Sequence, residues 1–221
     1  MNIGVFLLLM VICLGLVYLV HKYFSKKEYY VLAIIYSIIS FILSFKIINI
    51  FGMDINANVI FSSGLLLILY YFVNRYNDKE SRRFIFTMIS ITLVCTILLV
   101  GTSVMVPSLY DKVSVHYENM VFDNLAILIL YPISMAVTMF LSEYCFKELK
   151  KEEKKKDIKT ILTLFGIVFI DTALFIYFSY AFIIRFDTAM EIAIDNYIIK
   201  TIIMIIYVLI INRLFMVRKV K

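Results

Sequence analysis

Long apolar runs separated by short polar clusters set the pattern of this chain. Runs at residues 3–20, 29–50, 57–74, 84–106, 124–146, 160–185 and 196–215 are each long enough, at about 1.5 Å of rise per residue, to carry a helix across a bilayer. Continuous Ile, Leu and Phe, with six Gly and two Pro in 221 residues, do not suit the short alternating strands of a membrane barrel. The pattern predicts an all-α integral membrane protein with about seven transmembrane helices.

Composition agrees. The chain is 63% hydrophobic with a mean hydropathy of +0.95, more apolar surface than one water-soluble core absorbs. Its net charge of +6 does not point to nucleic acid, because the basic residues sit beside the apolar runs, where the positive-inside rule accounts for them. Lys22, Lys26 and Lys27 follow the first run, and Arg75, Lys79, Arg82 and Arg83 the third. Seven lysines fall between Lys147 and Lys159, and Arg213, Arg218, Lys219 and Lys221 lie in the tail. The other side has Lys46, Lys112 and Arg185 near its loops. The asymmetry predicts a multi-pass protein of the cell membrane, N-terminus outside and C-terminus cytoplasmic. The first run has no basic residue before it and no A-x-A cleavage site, so it reads as a retained helix. Glu148, Glu152, Glu153 and Asp157 interleave with the lysines of 147–159, which reads as a solvated connector more than an anionic-lipid site.

Charge inside the apolar runs is the feature that points to chemistry. A charged side chain at mid-bilayer costs on the order of 3 kcal/mol, so it calls for a partner, a wet cavity or a route to the interface. Asp171 sits within IVFIDTALFIYF, about 16 Å along its helix, and Lys200 lies about 20 Å from the cytoplasmic end of the next. At these matching depths the two suit either a structural ion pair or opposite walls of a polar ligand site. Asn196 and Tyr197 precede Lys200 by four and three residues and share its side of the helix. Lys46 and Glu143 lie near span ends, where snorkelling and interfacial contact suffice. Tyr70, Tyr71 and Asn74 offer similar chemistry at the inner end of the third run. Ser37, Ser40 and Ser44 form a polar stripe suited to close helix packing, and Pro132 marks a kink that frees backbone carbonyls. No G-x-S-x-G, H-E-x-x-H or Walker A pattern occurs, and the cysteines and histidines have no metal-ligand spacing. The chain therefore reads as a non-enzyme without catalytic residues, cofactor or metal.

The stretch IDTALFIYFSYAF followed by MEIAIDNYIIKTII resembles the last two helices of the VUT (YhhQ-type) queuosine precursor transporters, in which a D-T on one helix and a Y-x-x-K on the next recur. Asp171, Thr172, Tyr197 and Lys200 occupy those positions, and FKIINIFGMDINANVIF places Lys46 where the family has a lysine. The resemblance covers roughly residues 30–215. It implies an extra N-terminal helix and basic loop at 1–28, then a six-helix transporter-like domain at 29–221. The chain departs from the family at the inner end of the third run, where Leu69, Tyr70 and the stretch from Asn74 to Asn77 lack two acidic groups, and in the fifth run at Met139 and Ser142. These changes alter the donors and acceptors that face a substrate.

The resemblance implies uptake of a small polar heterocycle, a queuosine precursor of the deazaguanine type. Asp171, Thr172, Lys200, Tyr197, Lys46 and Asn74 are its candidate binding residues. The expected partners are the small-molecule substrate and the lipid bilayer, with homo-oligomers or energising subunits as further candidates. A second reading is the substrate-binding subunit of an energy-coupling factor type vitamin transporter. Ala189 and Ala193 have the A-x-x-x-A spacing of its docking helix but fall outside the expected spans. A third is a structural or assembly protein whose buried charges only hold helices together.

Overall fold

The computed structural model describes residues 2–106, 114–151 and 156–216. Lys112, Glu152, Glu153, Lys154, Lys155, Arg218, Lys219 and Lys221, all part of the loop-charge pattern, lie outside the described residues. The helices are α1 (Asn2–Tyr23), α2 (Lys26–Leu43), α3 (Val59–Arg75), α4 (Asp78–Ser103), the short α5 (Ser114–Phe122), α6 (Leu125–Lys151) and α7 (Lys156–Asp171). A π-helical turn, Thr172–Tyr177, joins α7 to α8 (Phe178–Ala181), and α9 (Phe186–Met216) closes the bundle. Among the described residues, five segments are long and apolar enough to cross a membrane: Ile3–Tyr23, Asp78–Ser103, Leu125–Lys150, Ile158–Ala181 and Phe186–Ile210. Helix α3 is apolar but shorter.

That shorter helix is the axis of the fold. Residues 63–73 of α3 are all buried, as suits a helix apolar on every side, and α1, α2, α4, α6 and α9 all pack against it. Gly64 permits the tightest crossing. A Cβ there would stand 2.6 Å from Cys13 Sγ and 2.7 Å from the Tyr36 ring, so α1 and α2 meet α3 over a bare backbone. Hydroxyls then tie α1 down: Tyr36 donates to the Cys13 carbonyl at 2.8 Å, and Tyr207 to the Met10 carbonyl at 3.2 Å. Ser37, Ser40 and Ser44 are fully buried, with Ser37 Oγ 3.9 Å from Met135 Sδ on α6, so the stripe lies at a helix-helix contact.

Two segments differ from the hydropathy reading. The second apolar run was expected to stay helical to residue 50, but α2 stops at Leu43 and the chain forms a β-hairpin. Strand β1 (Ile47–Ile50) pairs antiparallel with β2 (Met53–Asn56), with Ile47 opposite Asn56 and Ile50 opposite Met53. Phe51 at φ 56° and Gly52 at φ 80° form a two-residue turn of the I′ kind, whose twist matches the strands. Three β-branched isoleucines ahead of that turn favour the strand, a preference to which a hydropathy window is blind. Helix α9 also begins ten residues before the expected position 196. Asp187, Glu191, Asp195 and Asn196 dilute the hydropathy of its first turns, yet two of them serve the hairpin. Asp195 accepts from the Asp54 N–H at 2.9 Å, and Asn196 Oδ1 from the Asn56 N–H at 3.2 Å. Ala189 and Ala193, expected beyond the spans, therefore lie within α9, and both are buried in the chain's own core.

The opposite end of the bundle is fastened by cations. Arg75 donates to the His21 carbonyl at 3.0 Å and Lys150 to the Val73 carbonyl at 3.1 Å, so each satisfies a carbonyl at the C-terminal end of a helix. Lys26 pairs with Glu80. Glu143 is buried rather than snorkelled, held by Lys147 at 2.7 Å, and Lys147 also reaches Asp78 at 3.4 Å.

Candidate functional site

Asp171 is the last residue of α7, and the π-helical turn begins at the next residue. Such wide turns break the regular helical register and recur at functional sites. Here the turn directs Asp171 toward α6 and α9. Lys200 Nζ lies 2.5 Å from Asp171 Oδ2, and Thr138 Oγ1 donates to Asp171 Oδ1 at 3.0 Å. The depth match in the sequence is thus realised as a direct ion pair, with a third helix completing the coordination of the carboxylate. Lys200 is 2% exposed, so the pair stands in a medium where neither charge can be left alone cheaply.

The pair borders a cavity of about 30 Å³, room for one or two water molecules. Its other walls are Asn58 and Ser62 at the start of α3, Leu65 and Leu66 below them, and Tyr131, Ser134, Met135 and Met139 on α6, with Phe175 from the π turn. Pro132 lies among the α6 residues, so the cavity forms where the missing proline N–H loosens the helix ladder. The Tyr131 and Phe175 rings meet edge to face at 5.1 Å and form an aromatic wall.

The six residues singled out in the sequence do not converge on one point. Asp171 and Lys200 meet in the cavity. Thr172 and Tyr197 line a separate groove of about 300 Å³ with Phe169, Ala173, Tyr177, Met190, Ala193 and Ile194. The Thr172 hydroxyl is buried there without a hydrogen-bond partner among the described residues, and Tyr197 packs edge to face on Phe169 at 5.9 Å. Tyr197 therefore flanks Lys200 instead of sharing its face, while Asn196, one turn before Lys200, is buried and turned to the hairpin. Lys46 is exposed in the turn between α2 and β1, away from the cavity walls. Asn74 is half-buried near the end of α3 and donates to the Tyr70 carbonyl at 2.8 Å.

Sequence reasoning missed Asn58, Ser62, Ser134 and Thr138. A signal existed for two of them: Ser134 and Thr138 are four residues apart just after Pro132, and Ser142 continues the stripe by donating to the Thr138 carbonyl at 2.6 Å. Asn58 and Ser62 are also four residues apart, but no proline or charge within an apolar run stands beside them to draw attention to that spacing.

A bundle of apolar helices around a buried ion pair and a small cavity, with an internal proline and a π turn beside it, is the architecture of a multi-pass membrane protein with an internal candidate site. Residues 57–214 match the family described as "putative vitamin uptake transporter", and the chain belongs to that family. The match begins two residues before α3 and runs through most of α9, so it contains every residue that lines the cavity. No curated protein matches the chain, nor does any solved structure.

Proposed function

We propose that this protein carries a small polar heterocycle, a deazaguanine-type queuosine precursor, into the cell, with the Asp171–Lys200 pair at the centre of its binding site. The observation behind this reading is that pair, buried on the wall of an internal cavity within the family-matched segment. A carboxylate suits the clustered N–H groups of a guanine-like edge, and an ammonium suits a ring oxygen or nitrile. A ligand offering both replaces the pair's interactions one for one, so its binding leaves no buried charge bare.

The cavity is far smaller than a bicyclic base, so uptake requires the helices to part. Pro132, the π turn and the Tyr131–Phe175 contact are where they do so. We assign seven spans, with α2 and α3 completing the five longer ones, N-terminus outside and C-terminus cytoplasmic. Residues 1–28 are then an added helix docked on a six-helix domain, and the hairpin faces the outside. For the energy-coupling reading, Ala189 is fully buried and Ala193 lines the Thr172–Tyr197 groove, so the two do not form one exposed small-residue face.

The test is uptake of radiolabelled 7-cyano-7-deazaguanine into proteoliposomes containing the purified protein. Accumulation above empty liposomes, lost in Asp171→Asn, supports the reading. No accumulation of this base or of 7-deazaguanine removes the substrate assignment.

A further inference from the structure

Asn56 and Asn58 flank Ala57 where the hairpin enters α3, and they have divided labour. Asn is among the best helix N-caps, yet Asn58, at the N-cap of α3, makes no side-chain cap bond and its own backbone is already helical at φ −72°, ψ −12°. Asn56 does the capping, since its Oδ1 accepts the Asn58 N–H at 2.9 Å. Its Nδ2 is fully used as well, donating to the Ser44 carbonyl at 2.7 Å and the Tyr180 hydroxyl at 2.6 Å.

The Asn58 carboxamide is thereby left over. It is 3% exposed, lines the cavity with Asp171 and Lys200, and has no hydrogen-bond partner among the described residues. Its polar neighbours on the same wall are engaged: Ser62 donates to the Val59 carbonyl at 3.3 Å, Ser134 to the Tyr131 carbonyl at 3.0 Å and Thr138 to Asp171. A buried amide with unmet donors and acceptor is costly unless something else in the cavity meets them.

We infer that Asn58 is a specificity-determining ligand contact, reading a lactam edge: an N–H beside a C=O on a planar ring. Its Oδ1 accepts the ring N–H while its Nδ2 donates to the ring oxygen, a pairing that uses both ends of the amide at once. With the lactam edge on Asn58, Asp171 keeps the neighbouring exocyclic amino group and Lys200 the nitrile of the same ligand. This inference rests on the transport reading above and assigns to Asn58 the selection of the oxo base over analogues that lack the ring oxygen.

The experiment measures Kd for 7-deazaguanine and for 2-amino-7-deazapurine, which lacks the 6-oxygen, on detergent-purified wild type, Asn58→Leu and Asn58→Ser. The wild type is expected to prefer the oxo base by about tenfold or more, because the analogue leaves a buried donor unpaired. Variants that melt like the wild type are expected to bind the two bases within about twofold of each other. Asn58→Ser stands in if Asn58→Leu does not fold. A folded variant that keeps the wild-type preference overturns the assignment of Asn58, as does a wild type that binds both bases equally. Wild type that binds neither base overturns the transport reading itself, which is a different result.

Discussion

Lys200 Nζ and Asp171 Oδ2 stand 2.5 Å apart, although 29 positions separate the two residues in the chain. Removing one charge strands the other in the bundle, a change that costs about 3 kcal/mol or more in buried pairs. Asp171→Asn and Lys200→Met are each expected to lower the thermal unfolding midpoint in detergent. The double variant should recover most of the loss because no bare charge remains. Base binding should be absent from all three. A double variant that is stable and still accumulates base at the wild-type rate would reduce the pair to a packing device.

Gly64 allows a second, purely structural expectation. Adding a methyl group there drives it into Cys13 Sγ and the Tyr36 ring, both fully buried and without room to retreat. Gly64→Ala should therefore destabilise the protein by about 1–3 kcal/mol, the usual range for overpacking. Pairing it with Cys13→Ala vacates the nearest obstacle and should return part of the loss, so the two changes are non-additive. Strict additivity in unfolding measurements would show that α1 does not contact α3 at this point.

Asn56 and Asn58 offer a contrast within three residues. Asn56→Ala removes the α3 cap and the bonds to Ser44 and Tyr180, and is expected to cost about 2 kcal/mol or more, since several buried groups lose a partner together. Asn58→Ala removes a side chain that holds nothing within the protein and should leave the unfolding midpoint within a degree or two. The comparison needs only melting curves of the two variants. Equal losses would mean that the Asn58 amide is a structural group.

These cases show what the sequence could and could not disclose. The Asp171–Lys200 meeting follows from hydropathy and from about 1.5 Å per residue, because a bilayer fixes depth along every helix and depth alone aligns the two charges. The direction each side chain faces around its helix was less legible. Tyr197 and Lys200 are three residues apart, close enough to be assigned one face, yet the structure places them on different cavities. The hairpin was invisible to any hydropathy window, since Ile47, Ile48 and Ile50 are as apolar in a strand as in a helix. With it went the roles of Asp195, just outside the expected span, and of Asn196, expected on the Lys200 side of that helix: both are α9 side chains satisfying strand N–H groups. Lys46, expected near the end of a helical span where its stem could snorkel, stands instead just before β1 and is exposed.

The hairpin turn carries a local strain that a single substitution should relieve. Phe51 holds a φ of 56°, a region that costs roughly 1 kcal/mol for a residue with a bulky Cβ substituent and that Asn tolerates better. Its side chain is exposed, so little packing is lost by changing it. Phe51→Asn places Asn-Gly at the two central positions, the preferred pair for an I′ turn, and is expected to stabilise the hairpin by about 0.5–1 kcal/mol. Hydrogen exchange at the Ile50 and Met53 amides reports this locally, and slower exchange in the variant is the expected result. Because β2 is bonded to α9 one turn from Lys200, a firmer hairpin should also slow uptake if the base enters past it, and should leave uptake unchanged if it enters elsewhere. Faster exchange at these amides would mean that the Phe51 side chain, and not the turn backbone, is what holds the two strands together.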